Sequence, residues 1–241
     1  MQFIESSVVG VRAAILRLRS PSARCTYTLI PMVHVGELAF YEEVRRELEG
    51  RAYVLYEGVR HPFVERMSRN FEIAAGSPRI GLVTQREALA EAARSGEWIH
   101  IDTPADIFER HWRRLPLWMR VTVKPLSVLI FLHMRWFGDR RELGRVLPIA
   151  DLRSRQEIYD KRDNATKPDA FSILVDERDR HIVAMLERVH QRIQHTDGSA
   201  AILFGATHMR AIARYFIEHH GYQVRESRWV TVFGWDTLGR A

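Results

Sequence analysis

A single cysteine, Cys25, among 241 residues rules out an intramolecular disulfide and any zinc site built on cysteines. It lies in a strand-like stretch, where the expected role is that of a small buried hydrophobe. The start, Met-Gln-Phe-Ile-Glu-Ser-Ser, has neither the basic opening nor the apolar stretch of a secretory signal. No uncharged run approaches a membrane-spanning length. These absences predict a soluble, cytoplasmic protein. Several familiar motifs are also missing: no Gly-x-Gly-x-x-Gly opens a helix, and there is no phosphate loop, His-Glu-x-x-His or Gly-x-Ser-x-Gly. Nucleotide-dependent and serine-hydrolase chemistries lose their usual support.

What is present suits one good-sized core. Hydrophobic residues make up 46% of the chain, and nothing forces a division, so residues 1–241 read as a single domain. The formal charge of +6 is unevenly spread. Residues 103–147 hold nine Arg or Lys against four Asp or Glu. The same region carries Trp112, Trp118, Trp136, Phe131 and Phe137. Arginines mixed with interfacial aromatics suit an anionic membrane surface through 112–137, and hence a membrane-peripheral protein. A solvated basic face over a core fits the same residues. Nucleic acid is disfavoured, because no reading module is recognisable and the segment is too apolar for an exposed groove-binding surface.

Residues 7–19 and 24–32 read as an antiparallel hairpin turning at Ser20-Pro21-Ser22. Leu38, Tyr41, Val44 and Leu48 recur at helical spacing up to Gly50, and the apolar strand 52–56 follows, making a β-α-β unit with parallel strands. Helices are expected over 64–75 and 84–95, with a strand over 98–102. Four prolines between 104 and 165, at 104, 116, 125 and 148, predict an insertion of short or kinked helices. A long helix over 171–195 precedes a strand at 199–204, a helix at 209–219 and a closing strand at 222–233. The fold class is therefore α/β, with a mostly parallel central sheet, an antiparallel N-terminal hairpin and a helical insertion at about 104–165.

Ligands in parallel sheets bind beyond the carboxyl ends of the strands. In this reading four strands end at His34, Glu57, Asp102 and His208, which supply metal-ligand or acid/base types. Either histidine also fits a turn position satisfied by hydrogen bonds. Glu57, directly after Val54-Leu55-Tyr56, needs a partner, a metal or an exposed strand end. Arg178 falls on the apolar line between Leu174 and Ile182, so its guanidinium must find a carboxylate or an anionic ligand. Glu177 and His181 share a helical face, as metal ligands or as an ordinary surface pair.

In these residues the chain resembles the TraB/GumN/Tiki superfamily. The match lies in Gly205-Ala206-Thr207-His208, in Glu57 within Val54-Leu55-Tyr56-Glu57-Gly58, and in Glu177-Arg178-Asp179. The first Gly-x-x-His element departs from the pattern, reading Pro31-Met32-Val33-His34. Gln85 and Ile101-Asp102-Thr103 are weaker matches. The resemblance implies two related β-α-β halves whose histidines and glutamate converge in one cleft. Some relatives are described as metal-dependent peptidases and others as regulators of peptide pheromones. The expectation is a metal-dependent hydrolase acting on a peptide or amide. In it His34, His208 and Glu57 hold a divalent ion (Mn, Co or Zn), Glu57 acts as ligand or general base, and Arg178 with Glu177 serves catalysis. The rival reading is a non-catalytic binder of a peptide or small molecule.

Overall fold

The computed structural model describes residues 2–58, 61–90, 96–146 and 170–235. A seven-stranded mixed sheet organises them. Strand β2 (Gly10–Arg19) pairs antiparallel with β9 (Gln223–Gly234) over its whole length, and with β1 (Ile4–Ser6) and β3 (Thr26–Met32) over its two halves. From β3 onward the sheet is parallel: β8 (Ser199–Gly205) lies beside β3, β5 (Tyr53–Tyr56) beside β8, and β7 (Glu97–His100) beside β5. The α/β class, the antiparallel N-terminal strands and the parallel remainder are as the sequence indicated.

Parallel strands covered on both sides are apolar at successive positions. In β8, Ala201 and Leu203 enter one core and Ala200, Ile202 and Phe204 the other. The first core packs against α1 (Leu38–Leu48), α2 (Pro62–Ala75) and α5 (Leu117–Trp136). The second packs against α7 (Ala170–Ile193) and α8 (Ala206–Arg214) through Ile182, Leu186, Val189, Met209 and Ile212. Between α2 and α7 the chain also forms α3 (Gln85–Ala88), α4 (Ala105–Arg114) and α6 (Arg140–Val146). Cys25 is fully buried, and desolvation pushes its thiol up to about 11, so it is no nucleophile near neutrality.

The helix expected over 84–95 is the four-residue α3 within the described residues; 91–95 lie outside them, as do 147–165 of the predicted insertion. α5 runs for 20 residues despite Pro125. α2 begins where Pro62 takes the first helical position and the His61 ring accepts from Phe63 N–H at 3.2 Å. A small two-stranded sheet, β4 (Val35–Gly36) with β6 (Val83–Thr84), ties the segment after α2 to the loop carrying His34. Gln85 N–H donates to the His34 carbonyl at 2.9 Å.

Candidate functional site

The register of the parallel strands builds the site. Met32 is opposite Gly205, Leu203 opposite Tyr56, and Tyr56 opposite His100. The residues just beyond, His34, Glu57 and Asp102, therefore emerge at one edge of the sheet, next to the start of α8. A cleft of about 780 Å³ opens there, lined by His34, Glu57, Arg178 and Gly205, with Met32, Phe71, Leu89 and Trp98 as apolar wall. α2 adds Glu65, Ser68, Arg69 and Glu72.

At the centre is a guanidinium between two carboxylates. Arg178 Nη2 donates to Glu57 Oε1 at 2.9 Å and to Asp102 Oδ2 at 2.7 Å, and Nε donates to Asp102 Oδ1 at 3.3 Å. The Asp102 side chain is wholly buried and also accepts from the backbone N–H groups of Gly58, at 3.1 Å, and Thr103, at 2.6 Å. A cation on the apolar line of α7 has thus found two anions at strand ends. Burial opposes the charge on Arg178, but Glu57 and Asp102 hold it protonated.

Glu57 Oε2 accepts from the backbone N–H of Gly205, the N-cap of α8, so the carboxylate sits at a helix N-terminus. Burial alone would raise its pKa. Arg178, His208, the Gly205 N–H and His34 outweigh that penalty and bring it down to about 2. The glycine has a steric reason: a Cβ there would stand 3.0 Å from Glu57 Oε2. Gly205 has φ −51°, so the requirement is for space, not for backbone freedom.

His208 is not at a strand end, as the sequence suggested, but in the first turn of α8, because β8 stops at Gly205 and the helix begins at once. It is 4% exposed, and its Nδ1 lies 2.6 Å from Asp179 Oδ1. A carboxylate on Nδ1 fixes the ring and leaves Nε2 as the other functional nitrogen. His34 follows β3 and rests against Phe71, ring centroids 4.7 Å apart. Water reaches its ring, yet protein walls crowd it. Desolvation lowers its pKa, and Arg178 adds to that against the opposite pull of Glu57, which favours the neutral imidazole.

Glu177 is not in this group; it pairs with Arg180 at 2.7 Å and does not line the cleft. Of the three residues Glu177-Arg178-Asp179, the middle one meets the strand ends and the third meets His208. His181 approaches Asp102 and Asp106 electrostatically, and desolvation lowers its pKa. The sequence reading missed two things: Asp102 as the second arm of the Arg178 bridge, and α2 as a cleft wall. An acid closing the apolar run Trp98-Ile99-His100-Ile101 was the available signal for the first.

His34 and Glu57 line the cleft while His208 does not and reaches Glu57 electrostatically, an arrangement that does not fit a formed metal centre. Both Glu57 oxygens are committed, one of them to a cation that would repel a metal ion. Among the described residues no group of three or more His, Cys, Asp or Glu is placed to hold one. No family model, curated protein or solved structure matches this chain. The resemblance to the TraB/GumN/Tiki superfamily therefore rests on the quoted residues alone.

Proposed function

We propose that the cleft is a hydrolytic site for a peptide or amide. The observation that carries this reading is that an imidazole, His34, and a guanidinium, Arg178, line one cavity at the carboxyl edge of the sheet. His34 takes a proton from water, and the resulting hydroxide adds to the carbonyl carbon. Arg178 faces the cleft to stabilise the negative oxygen that develops, while Glu57 and Asp102 keep it aimed. The imidazolium then returns its proton to the departing nitrogen as the carbon–nitrogen bond breaks. With its carboxyl near 2, Glu57 is too weak a base for the proton transfer and serves to position Arg178 and to raise the basicity of His34.

The resemblance to the TraB/GumN/Tiki superfamily supports hydrolysis and suggests peptides as substrates. It also suggests a metal-dependent form of the reaction, with Mn, Co or Zn held by His34, His208 and Glu57. The Asp179–His208 pair favours that second reading, since metal-bound histidines commonly lean on a carboxylate in this way. In that form Glu57 must first leave Arg178.

One experiment separates these readings. A peptide library is incubated with the parent protein, with His34→Ala and with Arg178→Lys, each with and without chelator, alongside elemental analysis of the parent. Cleavage that survives chelation and is lost in both variants supports the proposal. Cleavage only with stoichiometric metal transfers it to the metal-dependent form. Tight peptide binding without turnover under every condition refutes hydrolysis and leaves a binding protein.

A further inference from the structure

Helix α5 carries two apolar stripes, and the fold uses one of them. Ser127, Phe131 and Met134 are buried, Phe131 edge-on to Phe71 of α2, and Asn70 of α2 donates to Ser127 Oγ at 3.0 Å. The opposite side presents Trp118, Val121, Pro125, Leu129, Leu132 and Trp136, spaced three and four apart. Trp118, Leu129 and Trp136 are exposed by 66, 63 and 66%. The helix is long and apolar enough to cross a membrane by length and composition, yet only 17% of its most apolar stretch is buried inside the fold. In the sequence Arg120 and Lys124 interrupt its apolar residues, so it contains no long uncharged run. A soluble protein seldom leaves so continuous an apolar face in water.

We propose that this outer face of α5 lies in the plane of an anionic phospholipid bilayer. The charges around it argue for that occupant. Residues 110–138 contain six Arg or Lys (110, 113, 114, 120, 124 and 135) and no Asp or Glu. Lys124 and Arg135 are exposed on the helix beside the apolar stripe, and Arg113 and Arg114 precede it. Tryptophans close both ends of the stripe, the residue type that settles at the headgroup level. The Thr122 hydroxyl, on the same side, is satisfied by the Trp118 carbonyl at 2.7 Å.

The fold also favours lying in the interface over spanning. α2, packed along the other side of α5, carries Glu65, Arg66, Arg69 and Glu72, which cannot follow it into hydrocarbon. Pro125 removes the N–H that would bond the Val121 carbonyl, a loss that water repairs at the interface but not at the bilayer centre. Because α2 also walls the cleft, docking through α5 sets the cleft close to the lipid surface.

The test is co-sedimentation of the full chain with phosphatidylcholine vesicles, with and without phosphatidylglycerol, at low and high salt. The comparison uses Trp118→Ser/Leu129→Ser/Trp136→Ser, three exposed positions, and Lys124→Gln/Arg135→Gln. The parent is expected to bind the anionic vesicles, less in high salt. The triple variant should lose at least about tenfold in partitioning with an unchanged melting temperature, and the double variant should lose the lipid-charge dependence. No vesicle binding by the parent, or equal binding by the triple variant, overturns the proposal. So does a dimer that the triple variant dissolves while neither protein binds vesicles, which assigns the face to a second copy. Fluorophores at Trp118→Cys and Trp136→Cys, selective because Cys25 is fully buried, report geometry: equal shallow depth supports the in-plane placement, and opposite leaflets overturn it.

Discussion

Arg178→Met tests the network on which the site depends. The guanidinium bridges Glu57 and Asp102 with three donated bonds, and both acceptors are shielded from water, Asp102 completely and Glu57 with 26% of its side chain exposed. Removing one partner of such a group leaves an uncompensated charge, at a cost of about 3–5 kcal/mol. Glu57 keeps its bond from Gly205 and some solvent, which places the expected loss near the lower end, about 3 kcal/mol. The depressed Glu57 carboxyl sets a ceiling of the same size, since Arg178 shares that shift with His208, the Gly205 N–H and His34. Glu57 lies at about 2 in the fold against 4.5 outside it, worth on the order of 3 kcal/mol at neutral pH. A depressed carboxyl stabilises above its unfolded pKa, and that contribution is lost as pH falls from 4.5 toward 2. In the variant the Glu57 pKa moves up from about 2, so less of this stabilisation is present above 4.5. The difference between parent and variant in urea unfolding must therefore be large near neutrality and shrink in acid. A loss under about 1 kcal/mol near neutral pH, or one equally large in acid, refutes the idea that Arg178 neutralises the strand-end carboxylates.

Gly205→Ala places a methyl 3.0 Å from Glu57 Oε2 and is expected to cost about 1–2 kcal/mol in thermal or urea unfolding, with a weakened hydrolytic or binding activity. In an NMR titration the His34 midpoint should lie below 6.5, move up in Arg178→Met and move down in Glu57→Gln, since Arg178 lowers it and Glu57 raises it. A hydrolytic rate that depends on neutral His34 should fall on acidification through that same midpoint. Asp179→Asn weakens the hold on His208 Nδ1; in the metal-dependent form this should reduce turnover more than substrate affinity, read as a change in kcat with KM nearly constant, and in the metal-free form leave both unchanged. Ser127→Ala strands the buried Asn70 amide and should destabilise the contact between α5 and α2 by about 1–2 kcal/mol, seen as faster hydrogen exchange in α5.

The site was partly legible because expense shows in a sequence. A glutamate after Val54-Leu55-Tyr56 and an arginine on an apolar helical line both demand partners, and they prove to be each other's. What periodicity reports is burial, not neighbours. Nothing local told that Asp102 would share Arg178, or that Asp179 and not Glu177 would meet His208. Two residues along a helix turn a side chain by about 200°, enough to take it away from the α8 contact. His208 was misplaced at a strand end because Gly205 reads as a turn, whereas the chain passes from β8 straight into α8.

By itself the sequence determined the α/β alternation, the antiparallel start, and the set of charged residues too costly to bury alone, since these follow from local patterns of side chains. Only the tertiary structure decided the strand order that inserts β8 between β3 and β5. With it came the meeting of His34, Gly205, Glu57 and Asp102 at one edge, because crossovers join segments far apart in the chain and each pairing is chosen by the packing of whole layers. The same packing covered one stripe of α5 and left the other bare among the described residues. Both stripes carry large apolar residues in the sequence; what separates them is that α2 lies against only one.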